Sequence, residues 1–148
     1  MDSQHARAMM DAFYEAKRIR DQLPPLPEGV CSSYIRTLDA LHQLLARSDG
    51  LVRVSDVADF QHLPRPVVTW TVKEMEAGGL VVKRADANDR RVVHLEMTEQ
   101  GEALYQTYVT EYFDGLTQKL SGVSNEETET MVRTIHEIRD ALQRKADH

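Results

Sequence analysis

Two short runs rich in β-branched residues, LVVKR (80–84) and RVVHLEM (91–97), interrupt a chain that otherwise reads as helices. Such residues fit a pleated, half-buried surface. In the second run Val93, Leu95 and Met97 alternate with Val92, His94 and Glu96, the period-two pattern of a strand with one buried face. The intervening ADAND (85–89) supplies the Asp and Asn residues that tolerate turn geometry, so the two runs should pair as a hairpin. With one hairpin and helices elsewhere, the expected fold class is mainly α with a small β-hairpin wing (α+β).

The helices follow from apolar spacing. Met9, Ala12, Phe13, Ala16, Ile19 and Leu23 recur at three- and four-residue steps, predicting a helix over 2–22 that PPLPEG stops. A second is expected over about 31–47, with Tyr34, Leu38, Leu41, Leu44 and Leu45 inward and SDG at its end. After LVR come a short helical piece, SDVADFQ, and a longer one, PVVTWTVKEMEAGG, closed by glycine. Two helices of that size separated by a few residues have the form of a helix-turn-helix. Beyond the hairpin, one helix should run from Thr98 to about Lys119 and another from about Asn125 to Lys145. Ser124 and Glu127 form a capping box for the last, Met131, Ile135, Ile138 and Leu142 give it one apolar stripe, and Arg144 with Lys145 suit its C-terminal dipole. The order helix, helix, helix-turn-helix, hairpin is that of a winged helix-turn-helix core.

Charge supplies the first functional hint. The chain of 148 residues is acidic, with 24 Asp+Glu against 18 Lys+Arg and a net charge of −6, yet Lys83, Arg84, Arg90 and Arg91 surround one short polar loop between the two β-like runs. Residues 61–94 hold six Lys+Arg and four Asp+Glu, which leaves −8 on the remainder. A hairpin beside a recognition helix can reach the backbone or minor groove of DNA, where Arg and Lys neutralise phosphates and release counterions. A solvated hairpin loop is charged in many proteins, so charge alone leaves both uses open. Asp86 and Asp89 are placed to orient Arg90 and Arg91 by ion pairs before they meet DNA.

The helix over 65–78 is more informative. Val68, Thr71, Val72 and Met75 share one side, while Pro66, Thr69, Trp70 and Lys73 repeat the same spacing on the other. The first stripe packs; the second offers a hydroxyl, an indole and an ammonium, a set able to meet base edges, a thymine methyl and phosphates in a major groove. An exposed Trp70 could equally fold against a neighbouring helix or a second subunit.

Residues 86–101, DANDRRVVHLEMTEQG, resemble the wing signature of the MarR family of transcriptional regulators, and RPVVTWTVKEMEAGGLV (65–81) is similar to that family's recognition helix. Thr98 and Gly101 stand at the family's Thr and Gly; physically, Thr98 can cap the following helix and Gly101 permits close packing against the hairpin. The resemblance implies one chain over 1–148, with a DNA-binding region at 31–97 and a helical dimerisation region at 1–30 and 98–148. It implies a homodimeric repressor on a palindromic operator in double-stranded DNA. Arg65, Thr69, Trp70 and Lys73 would occupy the major groove, and Arg84, Asn88, Arg90 and Arg91 the backbone and minor groove, with Asn88 or Arg90 at the wing tip. Three departures bear on the operator: Trp70 stands where the family commonly has Arg, Val67 replaces a common Thr, and the turn reads QHLP where a glycine and a capping Ser are usual.

The resemblance also implies a small aromatic or phenolic effector, bound in a cleft between dimer helices and winged helix. Phe13, Tyr14, Tyr34, Tyr105 and Tyr108 are the candidate lining, with Tyr105, Tyr108 and Tyr112 expected on one helical face; core or dimer packing is the competing use of these rings. No cofactor or metal is expected, because the long helix lacks a His pair and the other histidines show no ligand spacing. The single Cys31 excludes an intramolecular disulfide and reads as a semi-buried thiol near a helix start without a resolving partner. No nucleophile elbow, phosphate loop or zinc-protease motif is present, so no catalytic residue is assigned. The N-terminus does not read as a secretory or transit peptide, and no apolar run suits a membrane, which sets a cytoplasmic expectation. The alternative function is a winged helix that binds an acidic protein surface instead of DNA.

Overall fold

The computed structural model describes residues 1–47 and 50–144. They form two compact units, Met1–Tyr112 and the segment from Phe113 onward. In the first unit the helices are α1 (Ser3–Asp21), α2 (Ser32–Arg47), α3 (Val54–Gln61) and α4 (Arg65–Ala77). Strands β1 (Val81–Ala85) and β2 (Val93–Met97) follow, then α5 (Glu99–Tyr105) and a π-helical stretch, Gln106–Glu111. The second unit holds α6 (Tyr112–Lys119), whose first residue closes the first unit, and α7 (Asn125–Gln143).

One core organises the first unit. Ile35, Leu38, Ala40 and Leu41 from α2, Val57 and Ala58 from α3, and Val68, Val72 and Met75 from α4 are buried together with Val52, Leu80, Val81, Leu95 and Val109. Leu38, Leu41, Val57, Val72 and Met75 have no exposed surface at all, and each such side chain contributes roughly 1.5–3 kcal/mol relative to an exposed one. The predicted inward stripe of α4 is therefore its packed face. Thr71, half-buried beside it, donates its hydroxyl to the Val67 carbonyl at 3.1 Å.

The turn between α3 and α4 uses unusual residues. His62 adopts a left-handed backbone (φ 53°, ψ 41°), the conformation glycine takes at least cost. Pro64 precedes α4 without a side-chain cap, and Pro66 sits in its first turn, where a missing N–H loses no intrahelical bond. At the far end Gly79 takes φ 77°, and Leu80 N–H returns to the Met75 carbonyl at 2.9 Å, which turns the chain sharply into β1.

The hairpin is antiparallel, with Val81 opposite Met97, Lys83 opposite Leu95 and Ala85 opposite Val93. On its other side β2 is held by Leu95 N–H donating to the Val52 carbonyl at 2.7 Å. Of the expected inward residues, Leu95 is buried and Met97 half-buried, but Val93 is exposed because it lies near the free end of the wing. Thr98 fastens the base. Its hydroxyl donates to the Gly79 carbonyl at 2.6 Å and accepts from Gly101 N–H at 3.0 Å. A Cβ on Gly101 would collide with the Leu80 carbonyl, so this close approach of α5 to the start of β1 requires glycine.

In the second unit Ser124 and Glu127 cap α7 reciprocally, at 3.0 and 2.8 Å. Its C-terminus departs from expectation: the helix ends at Gln143 with no basic residue in its last turn, Arg144 is extended, and Lys145 lies outside the described residues. Neither α1 nor α7 contains a buried residue, and Met131, Ile135 and Leu142 of the α7 stripe are exposed. The backbone from Glu99 to Lys119 is helical as expected, but the π-helical stretch within it was not foreseen.

Candidate nucleic-acid interface

The open side of α4 is a groove of about 820 Å³ lined by Arg65, Pro66, Thr69, Trp70, Lys73, Glu74 and Ala77. Trp70 is 50% exposed. Because Val68, Val72 and Met75 anchor the opposite side in the core, these groups project from a fixed helix as a guanidinium, a hydroxyl, an indole N–H and an ammonium in sequence along it. That set can donate to phosphates and to acceptors on base edges.

The wing loop is longer than the sequence pattern suggested. Val92 N–H turns back to the Asp89 carbonyl at 3.0 Å, so β2 starts at Val93, and Asp86 N–H donates across the hairpin to the Val92 carbonyl at 2.8 Å to close the loop. The two aspartates divide their work differently from the expectation. Asp89 pairs with Arg91 through both side-chain contacts (3.1 and 3.2 Å) and accepts Arg91 N–H at 3.0 Å. Those Arg91 bonds, side chain first, hold the Asp89 carboxyl below its ordinary range, and the charge of Arg53 adds to them. Asp86 instead accepts Asn88 N–H at 3.0 Å, an Asx turn, and pairs with no arginine among the described residues. A short side chain two residues upstream of an amide reaches that amide more readily than a distant guanidinium. Arg90 has no ion-pair partner among the described residues, and Arg91 keeps 91% of its side chain exposed despite its pairing. Asn88 is exposed at the tip.

Three participants were not read from the sequence. Glu96 pairs with Arg84 at 2.7 Å, a diagonal neighbour across the hairpin, and the register alone would have found it. Arg53 acts on the wing although it precedes α3, and no local pattern links it to Asp89. Glu74, on α4, accepts the Tyr34 hydroxyl at 3.0 Å.

That last bond borders a cleft of about 550 Å³ between the Glu28–Val30 loop, the start of α2, the end of α4 and the helix after the wing, with Tyr34, Glu74, Thr107 and Tyr108 on its walls. The bond to Glu74, then burial, pushes the Tyr34 phenol up to about 12, so it remains a neutral donor. Only two of the five expected rings are here. Phe13 and Tyr14 lie on α1 outside the lining, and Tyr105 stacks on His42 with centroids 4.2 Å apart and planes at 22°. The wider turns of the π-helical stretch break the α-helical spacing on which a common face for Tyr105, Tyr108 and Tyr112 depended. Cys31 is exposed beside Tyr34, not semi-buried.

The sequence model of the MarR family matches residues 35–92. The HTH-type transcriptional regulator FarR of Neisseria gonorrhoeae is 30% identical over 101 residues, covering 66% of this chain and 69% of that protein. The homoprotocatechuate degradative operon repressor of Escherichia coli is 27% identical over 115 residues, covering 72% and 78%. Among solved structures, Streptococcus pneumoniae FabT in complex with DNA superposes with a TM-score of 0.66 at 18% identity, over 96% of this chain and 98% of that one. Bordetella bronchiseptica BpsR, whose DNA binding is described as regulated by 6-hydroxynicotinic acid, does so with a TM-score of 0.69 at 21% identity, over 93% and 94%. At such identities the structural likeness shows the winged-helix fold.

Proposed function

This chain belongs to the MarR family of transcriptional regulators, and from that premise we propose that it is a homodimeric repressor released from a palindromic operator by a small-molecule effector. The observation that carries the reading is the exposed row Arg65, Thr69, Trp70 and Lys73 on a core-anchored helix, flanked by a wing whose Arg84, Arg90 and Arg91 are exposed. In this reading α4 enters the major groove, and Arg84, Asn88, Arg90 and Arg91 meet the backbone and minor groove. Arg91 arrives already oriented by Asp89, which limits the side-chain entropy lost on binding. Residues 31–97 act as the DNA-binding region. Residues 1–30 and 98–148 supply dimerisation helices, supported by the unburied apolar residues of α1 and α7. A dimer sets two recognition helices about one turn of DNA apart. The effector site is the cleft at Tyr34 and Tyr108, and the effector acts through a differential affinity for two dimer geometries. A cytoplasmic location follows from this role, and among the described residues no helix is long and apolar enough to cross a membrane.

The test is fluorescence anisotropy of the full chain with duplex DNA from upstream of its own gene and with a scrambled duplex, at two salt concentrations. Tight, salt-dependent binding to the first is expected. Replacing Arg90 and Arg91 with Ala should weaken binding to both duplexes and reduce the salt slope by about 2, near one unit per phosphate contact. No binding to either duplex at low salt would leave a protein-binding winged helix as the better reading.

A further inference from the structure

The cleft beside Tyr34 has an unexpected electrostatic character. Its charged lining residues are Glu28 and Glu74, and among the described residues no lysine, arginine or histidine lines it. Lys73 precedes Glu74 in the chain but lines the DNA-facing groove instead. The remaining polar lining includes Gln100 and Thr107, both able to accept N–H hydrogen bonds, and the rings of Tyr34 and Tyr108 add aromatic surface. An anion entering this space would meet two carboxylates and no compensating cation. An organic ammonium would meet opposite charge, acceptors and aromatic faces together.

Resting on the reading of this cleft as the effector site, we propose that its ligand is an aryl or alkyl organic cation, with Glu74 as the counter-ion, and not a phenolic or carboxylate anion. Tyr34 supports the geometry. Its hydroxyl donates to the Glu74 carboxylate at 3.0 Å and so holds that carboxylate at the cleft. Glu74 also lines the DNA-facing groove, so the ligand's counter-ion sits on the recognition helix itself. A ligand held by Glu74 would thus touch the helix that carries Arg65, Thr69, Trp70 and Lys73.

Isothermal titration calorimetry of the full chain with two probes of similar size, 1-naphthylmethylammonium and 1-naphthylacetate, tests the inference. The ammonium should bind at least about tenfold more tightly, and Glu74→Gln, which keeps an acceptor for Tyr34, should erase most of that preference. Ala103→Trp, which fills the cleft from α5, should abolish ammonium binding while circular dichroism shows the fold retained. Equal or tighter binding of the carboxylate, lost in Ala103→Trp, would overturn the cation preference and leave the effector cleft standing. If neither probe binds, or Ala103→Trp leaves binding intact, the cleft is not the effector site and both readings fall.

Discussion

Helix α4 and helix α7 carry apolar stripes of similar regularity, and the protein treats them in opposite ways. Val68, Val72 and Met75 of α4 are enclosed by the first unit, whereas Met131, Ile135 and Leu142 of α7 stand exposed at 57%, 45% and 80%. Periodicity of 3.6 therefore announces that a face needs covering, and says nothing about whether the cover belongs to the same chain. An unburied stripe of this size on a capped helix is the form expected of a surface that a second copy completes.

The largest test of this contrast sets two substitutions side by side. Met75→Ala should cost about 2–5 kcal/mol in chemical denaturation, the range for emptying a closed site. Ile135→Ala should cost a comparable amount only through the proposed dimer, with an unfolding midpoint that falls on dilution. A loss under about 0.5 kcal/mol, independent of protein concentration, would mean the α7 stripe stays bare and would break the comparison.

A smaller effect sharpens the α4 side. Gly101→Ala forces a methyl against the Leu80 carbonyl, where α5 abuts the strand leaving α4, and should destabilise by about 1–3 kcal/mol as backbone is pushed apart. Equal stability would show that this junction yields. Smaller again, His62→Gly relieves a left-handed backbone in the helix-turn-helix and should stabilise by about 0.5–1 kcal/mol, read as a raised thermal midpoint.

The smallest effect is one of pH. Asp89 and Glu127 are both held below the ordinary carboxylate range, Asp89 by Arg91 and Glu127 by Ser124. A depressed folded value means that the stabilisation is present at neutral pH and is lost as pH falls through that value. Acid titration followed by NMR should therefore loosen the wing at Arg91 and the first turn of α7 only below the normal range for each acid. Since both groups are solvent-exposed, the effect is local. Loosening near neutrality would contradict both contacts.

Most elements were legible because each carries a local cause. The hairpin follows from β-branched runs around an Asp/Asn turn, α7 from its capping box, and the inward face of α4 from the helical spacing of Val68, Val72 and Met75. The wing and recognition-helix residues were legible as types and positions. Their pairings were less so. Asp86 was expected on an arginine and bonds the Asn88 amide, because a nearby backbone donor wins over a flexible guanidinium. The aromatic cluster failed for a different reason. An α-helical wheel through residues 105–112 assumed a uniform turn, and the π-helical stretch does not keep one.

By itself the sequence determined which segments form helices and strands, which faces seek burial, and which cations gather at the wing, since these depend on near neighbours along the chain. Tertiary structure alone decided what long-range partners those groups meet. Tyr34 reaches Glu74 across 40 positions, Arg53 influences Asp89 on the wing, and the cleft that Tyr34 and Glu74 line has Glu28 and Glu74 as its charged groups. No periodicity encodes those meetings, because they arise from how separate elements pack around one core.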